Sequence, residues 1–491
     1  MINHLPILQV VLPLLAAPAC LIFVRARSIW LFTCLACLLT FGISVALFIH
    51  VSDVGPLSYE VGGWPAPWGI EYTIDSLSSY VLLLVSAIAA VVILAANSSL
   101  GPELPERQQP AFYVLFLLCL TGLLGIVATG DVFNVFVFLE VSSLATYALI
   151  ALGRQRQALW AAYQYLIVGT IGASFFLVGI GFLYALTGTL NMSDLSERLV
   201  EVEQQQLLAV AFGFVVVGIA LKMALLPLHG WLPNAYAFAP SIATTFLAAS
   251  ATKVSLYLFI RLYYGVFGAE TVDALLPVSI VFLLLGIVAV LAASLVAFRQ
   301  SDVKRMLAFS SIAQIGYMAV GIGVGSTLGL QASLLHLFNH AFIKGALFLA
   351  VASVVYRTGS SQIDAFRGLG YRMPWTMAGL VLASLSLIGV PLTAGFVSKW
   401  FLVLAAIESG LWVVVLIVLV GSFISLFYLW KIVELAYSKS DSEANTNEAP
   451  PLMLIALWVL VIANIYFGID TRLTVGASAS AAATLIEGAP W

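Results

Sequence analysis

Residues 220–240 read ALKMALLPLHGWLPNAYAFAP. This apolar run holds Lys222 and His229 and is cut by Pro227, Pro233 and Pro240. A lipid-facing helix excludes such residues. Proline removes a backbone donor and clashes with the preceding turn, and a charge at mid-bilayer costs about 2.5–3.5 kcal/mol. Broken backbone at membrane depth is tolerated where protein or a polar cavity surrounds it. The stretch therefore predicts an interrupted transmembrane helix whose polar groups face protein and water.

The rest of the chain supplies the bilayer. Its 491 residues are 62% hydrophobic and 9% charged, with a mean hydropathy of +1.09. A soluble domain has roughly 45–50% apolar and about 25% charged residues, so this is an integral membrane protein. A net charge of −3 gives no reason to expect nucleic acid as a partner. One crossing needs ~20 apolar residues. That rule predicts an all-α protein of about 14 spans, near 6–24, 29–50, 73–96, 111–129, 132–152, 159–187, 206–226, 241–265, 273–298, 305–326, 328–355, 374–408 (interrupted), 411–436 and 450–469. No strand-like alternation is present, which excludes a β-barrel. The opening MINHLPILQVVLPLL lacks a basic n-region and reads as the first span rather than a removed signal. SDVGPLSYEVGGWPAPWGIEY, residues 52–72, reads as a small ordered cap, and SKSDSEANTNEAP, residues 438–450, as a flexible connector.

Basic residues set the orientation. Arg25, Arg27, Arg107, Arg154, Arg156, Arg299, Lys304, Arg305, Arg357, Arg367, Arg372, Lys431 and Lys439 fall in or beside alternate loops; the opposite set holds only Arg198, Arg261 and Arg472. By the positive-inside rule both termini lie outside a plasma (inner) membrane.

Lys222, Lys253, Lys344 and Lys399 fall within predicted spans instead. Together with Glu140 they would be ruinous if exposed to lipid, so they are expected to face protein, water and one another. Glu140 lies about eight residues into its span, ~12 Å deep, and a Glu140–Lys222 pair would offset both desolvation costs. Such a pair seldom adds net stability, which points to use rather than scaffolding. Lys253 follows on the next span. His336, His340 and Lys344 recur at i, i+4 and i+8 and share one helix face. Imidazole exchanges protons near neutrality, and a desolvated ammonium releases its proton more readily than one in water. The run SLSLIGVPLTAGFVSKW, residues 384–400, breaks a second span at Gly389, Pro391 and Gly395 and then delivers Lys399. Two interrupted helices at corresponding positions point to inverted repeats around a transport path.

Cys20, Cys34, Cys37 and Cys119 all lie in apolar runs and read as packing. Two histidines beside a lysine make a poor metal site. The sequence carries no cofactor motif and no nucleophile cluster, so the chain reads as a transporter subunit rather than an enzyme.

The segments FNVFVFLEVSS, LKMALLPLHGWLPNAYAFAP, KVSLYLFIRL, SDVKRMLAFSSIAQIGYM, LLHLFNHAFIKGALFLA and GVPLTAGFVSKW span roughly residues 110–400. In order and spacing the chain resembles the antiporter-like subunits of respiratory complex I, membrane-bound hydrogenases and Mrp-type Na+/H+ antiporters, most of all the D-type Mrp subunit. The resemblance implies helices 1–3 over 1–105, two inverted five-helix repeats over 106–266 and 267–440, and helix 14 over 441–491. It implies a proton relay of Glu140, Lys222, Lys253, His336, His340, Lys344 and Lys399, with His229, Pro227 and Pro391 lining the breaks. Its implied partners are other membrane subunits, the lipid bilayer, protons and sodium. The alternative it implies is a proton-pumping subunit of a complex I-like or hydrogenase-like redox complex. Asn234 and Tyr236 stand where the family often has an acid and a histidine. Carboxylates are few at membrane depth (Glu140, with Asp131, Glu408 and Glu434 near span ends), so the sodium site is expected in a partner or at a subunit interface.

Overall fold

The structure, a computed structural model, describes residues 2–23, 25–439 and 447–486. Among these, thirteen helices are long and apolar enough to cross a membrane. The N-terminal group is α1 (Leu5–Ala19), α2 (Ala26–Asp53), α3 (Ser76–Glu103) and α4 (Gln109–Ala128). Then come α5 (Val132–Ala151), α6 (Arg156–Thr187), the short α7 (Met192–Leu199), α8 (Gln205–Met223), α9 (Leu232–Phe238) and α10 (Ser241–Ile260), which runs into a π-helical turn at Arg261–Val266. The second series is α11 (Ala269–Leu275), α12 (Val278–Phe298), α13 (Val303–Gly323) and α14 (Thr327–Thr358). It continues through α15 (Leu369–Arg372), α16 (Pro374–Ile388), α17 (Ala394–Glu408) and α18 (Trp412–Ala436). The chain closes with α19 (Pro451–Ile469) and α20 (Arg472–Ile486). Helices α16 and α17, 15 residues each, are too short to span alone and together make one interrupted crossing, the fourteenth.

Both expected breaks are present. Helix α8 stops at Met223, where Ala224 turns left-handed (φ 56°), and α9 resumes at Leu232. Helix α16 stops at Ile388, where Gly389 turns left-handed (φ 93°).

The two halves repeat in detail. Thr187-Gly188-Thr189-Leu190-Asn191 ends α6 as Thr358-Gly359-Ser360-Ser361-Gln362 ends α14. The glycines have φ 73° and 74°, and each preceding threonine hydroxyl donates one turn back, to Leu183 O and Val354 O. Asp131 pairs with Asn191 across an isolated bridge and Asp302 with Gln362; both aspartates cap the next helix, accepting from Asn134 N and Arg305 N. Because α5 is the fifth crossing and α13 the tenth, the matched ends lie on opposite sides of the membrane.

Helix α14 is the axis of the molecule, surrounded by α3, α10, α13, α16, α17, α19 and α20. In a bilayer an all-apolar helix can face lipid, whereas a helix with polar and ionisable side chains must be enclosed by protein; α10, α13 and α14, the least apolar of the candidate spans, are buried along nearly their whole length.

Several local expectations change. The first long loop is a β-hairpin, β1 (Leu57–Glu60) paired antiparallel with β2 (Glu71–Ile74). The region after 441 holds α20 as well as α19, docked on α3 and α14. Of the connector, 440–446 lies outside the described residues, but its end is fastened: Glu448 accepts from Trp375 N (2.6 Å) and Thr376 Oγ1 (2.8 Å), capping α16.

Candidate ion-translocation site

Lys222 closes α8 one residue before its end and is buried. Its ammonium donates to Ser143 Oγ (2.6 Å) and Tyr147 Oη (3.1 Å) on α5 and lies 5.6 and 5.8 Å from the ring centres of Tyr147 and Tyr165. The expected Glu140–Lys222 ion pair is not among those the described residues make. Glu140 sits one turn before Ser143 on the same helix face, half-buried, with Oε1 inside the protein and without a hydrogen-bond partner. Gly169 on α6 makes room for the arrangement. A Cβ there would stand 2.0 Å from Tyr147 Oη and 3.2 Å from Lys222 Nζ.

A cavity of about 20 Å³ adjoins Lys222, lined by Ser142, Ser143 and Thr146 of α5 and by Ala251 and Ser255 of α10. That volume holds about one water, on the side of Lys222 facing the helix that carries Lys253. Lys253 donates to Ala248 O, one turn back on α10, whose Ala249 approaches α14 beside Lys344: a Cβ on Gly345 would lie 3.8 Å from Ala249 Cβ.

On α14 the three-residue stripe is continuous. The His336 and His340 rings are parallel, with centroids 5.8 Å apart and planes 5° from coplanar. His336 uses both nitrogens, Nδ1 with Ser398 Oγ (2.8 Å) and Nε2 with Gln314 Oε1 (2.9 Å). His340 is fully buried and neither ring nitrogen has a protein partner. Lys344 donates to Leu307 O (2.8 Å) and to Ser310 Oγ on α13.

Lys399 explains the second break. Its ammonium donates to Leu387 O and Ile388 O (2.9 Å each), two carbonyls freed where α16 stops, and to Ser422 Oγ (2.9 Å). A helix C-terminus carries partial negative charge, so the broken end supplies a built-in counter-charge. Gly389 is needed twice: for its positive φ, and because a Cβ there would meet Lys399 Cδ at 3.0 Å. At the first break the Leu221 carbonyl accepts from Ala224 N (3.3 Å) and from the Trp231 indole (2.9 Å), which stacks on Tyr165 at 3.7 Å.

None of the four lysines is more than 6% exposed, so none reaches toward lipid. His336, His340 and Lys344 lie on α14, flanked by Lys253 on α10 and Lys399 on α17; Lys222 and Glu140 form a second group joined to it through α10. Pro227 and Pro391 instead lie exposed at their breaks, and His229 is half-buried beside Phe309 with Nδ1 unpartnered. Asn234 donates to Gln164 Oε1 (2.8 Å) and Tyr236 to Leu247 O (3.2 Å), so both departures from the family pattern serve as ties between elements. Two basic residues assigned to loops prove buried. Lys304 donates to Ala239 O (3.3 Å) beside a cavity of about 450 Å³ that also holds Glu103, Arg154 and Arg305. Arg261 is paired with Asp75.

The comparisons with known proteins agree with this architecture. The family described as NADH:quinone oxidoreductase/Mrp antiporter, transmembrane, matches residues 129–425. An N-type NADH-quinone oxidoreductase subunit of Desulforudis audaxviator is 42% identical, over 96% of this chain and 96% of its own length. A D-type Na(+)/H(+) antiporter subunit of Alkalihalophilus pseudofirmus is 30% identical, over 95% and 94%. A chain of the membrane-bound sulfane sulfur reductase, an archaeal respiratory membrane complex, superposes with a TM-score of 0.91 at 30% identity, covering 98% of both chains. The chain belongs to the NADH:quinone oxidoreductase/Mrp antiporter family of transmembrane proteins.

Proposed function

We propose that this chain is a proton-translocating subunit of a multisubunit membrane complex, with Glu140, Lys222, Lys253, His336, His340, Lys344 and Lys399 as its relay. The observation that carries the reading is the line of buried bases held by hydroxyls, carbonyls and an amide, with no carboxylate fixed against any of the four lysines among the described residues. Scaffolding would favour neutral residues there, because each buried ammonium costs several kcal/mol. Glu140 acts as the switch. When it closes on Lys222, a unit pair at 4 Å is worth about 4 kcal/mol at an effective dielectric near 20, enough to decide whether a buried ammonium keeps its proton. When the two are apart, Lys222 passes its proton toward Lys253 through the small serine-lined cavity.

The chain then divides into helices 1–3 over 1–105, repeats over 106–266 and 267–440, and a C-terminal part over 441–491. It sits in the plasma membrane with both termini outside. Two assemblies fit: a monovalent cation (Na+)/H+ antiporter, and a redox-driven complex in which this chain is the non-redox pumping part. The 42% identity to the quinone oxidoreductase relative, against 30% to the antiporter relative, favours the second set of partners. In either, the cation or redox chemistry resides in other subunits. Mass spectrometry of the purified complex separates the two, since iron–sulfur subunits accompany only a redox pump.

The relay is tested by Glu140→Ala and Lys222→Ala in the assembled complex. Each abolishes driven proton movement in vesicles while assembly persists. A normal rate in either variant removes the relay.

A further inference from the structure

Helix α10 and the π-helical turn that continues it carry a second stripe, of which the relay uses only Lys253. Lys253, Tyr257 and Arg261 recur at i, i+4 and i+8, on one face and ~6 Å apart along the axis. They lead from the buried lysine toward the face of the molecule that carries the β-hairpin. At that end Asp75, the cap of α3, and Arg261 make a buried bidentate pair, with Nη1–Oδ2 and Nη2–Oδ1 both 2.6 Å. Ser78 N (2.8 Å) and Ser78 Oγ (2.9 Å) also donate to Oδ1. Arg261 Nε donates to Tyr257 Oη (3.2 Å), which in turn donates to Val127 O (2.9 Å). Directly beyond the pair opens a cavity of about 310 Å³ bounded by Asp75, Arg261, Glu197, Thr271 and Thr484. The pair thus stands between a hairpin-side cavity and the line leading to Lys253. A π-helical turn begins at Arg261 itself, a backbone irregularity that recurs at functional positions.

A buried ion pair gives little stability over a well-packed apolar pair, so packing alone does not account for it. A guanidinium is charged at every physiological pH, and a fixed arginine in a pore repels protons and cations. We infer that Asp75 and Arg261 form a seal, with Arg261 as the positive barrier that stops protons on Lys253 from escaping along Tyr257 to the hairpin-side cavity. Asp75 holds the guanidinium in place. Protons in the first half are thereby sent onward through α14 toward Lys399. The inference rests on the relay reading above and names the residue that makes it directional.

The test is passive proton permeability of vesicles containing the whole complex, with an imposed pH gradient and neither redox substrate nor counter-cation. Asp75→Leu with Arg261→Met collapses the gradient about tenfold faster than wild type, as expected from removing the fixed guanidinium, together with the carboxylate that holds it, from a low-dielectric path. Adding Lys253→Met to that variant restores slow decay, and Arg261→Lys alone stays tight because it keeps the charge. A double variant that assembles and holds its gradient overturns the inference. So does a leak that persists without Lys253, or a leak in Arg261→Lys. Should the double variant not assemble, Arg261→Gln is read by the same criteria. Failure of the relay shows separately, as driven transport surviving in Glu140→Ala or Lys222→Ala with the passive readout unchanged.

Discussion

The two halves share a frame and differ in their chemistry. A constant offset of 171 residues relates Asp131 to Asp302 and Asn191 to Gln362, and the backbone bonds around them repeat, Val132 N to Leu190 O as Val303 N to Ser361 O. At the same offset Glu140 becomes Ser311, which bonds only one turn back to Leu307 O. The first half keeps its lysine ahead of the break and holds it with hydroxyls; the second places it after the break and binds it to the severed helix end. Freed backbone carbonyls must be satisfied inside a membrane wherever a helix stops, and either an indole or an ammonium meets that demand. The frame is set by backbone accounting, which leaves the choice of donor open to function.

Exchanging the donors at the two breaks is the harshest test of that contrast. Lys399→Met removes a relay group and leaves the Leu387 and Ile388 carbonyls without their donor, so driven translocation is abolished and the thermal midpoint falls. Trp231→Phe removes the indole donor to Leu221 O at the first break and leaves that carbonyl its bond from Ala224 N; it costs about 1 kcal/mol and leaves translocation running. Vesicle assays and thermal unfolding of the purified complex read both. Equal losses of translocation would mean that the breaks are equivalent after all.

The two glycines beside the lysines give a smaller effect. Gly169→Ala drives a methyl into Tyr147 Oη, from 2.0 Å, and displaces the group that positions Lys222. A misplacement near 1 Å can cost a hundredfold, and a loss of about tenfold in translocation is expected because Ser143 Oγ still holds the ammonium. Gly389→Ala imposes a side chain at φ 93° and presses on Lys399, costing about 1–3 kcal/mol as well as rate. Stability measured beside rate distinguishes them: Gly169→Ala lowers the rate more than the midpoint, and Gly389→Ala lowers both.

Much of this was legible in the chain. Span positions follow from hydropathy, because lipid tolerates only long apolar helices, and the breaks follow from Pro227, Gly389 and Pro391. The stripe of His336, His340 and Lys344 follows from helical spacing alone. Other features were hidden for physical reasons. Arg261 and Lys304 sit at span ends, where a charge one turn inside looks like a charge in a loop. Asp75 meets Arg261 from a distant part of the chain, beyond the reach of any local pattern. Helix α20, TVGASASAAATL at its centre, is short and rich in small residues, so hydropathy passes over it while α3 and α14 accept it closely. The role of Gly169 depends on a tyrosine from another helix. A left-handed Ala224 at the first break has no sequence signature, since alanine rarely adopts that conformation.

The smallest effect probes the frame itself. Asp131 and Asp302 are matched caps, each accepting from the backbone N–H three residues on, at 2.7 and 2.9 Å. Loss of such a cap costs about 1 kcal/mol. Asp302 also accepts from Ser361 Oγ and from Gln362 Nε2 (3.3 Å), so its carboxylate ties α13 to the turn after α14 as well. Asp131→Ala should therefore cost about 1 kcal/mol and Asp302→Ala about 2 kcal/mol, read as shifts in thermal midpoint, with translocation retained in both. A loss of translocation in either, at preserved stability, would mean that the caps belong to the proton path and that frame and chemistry are not separable.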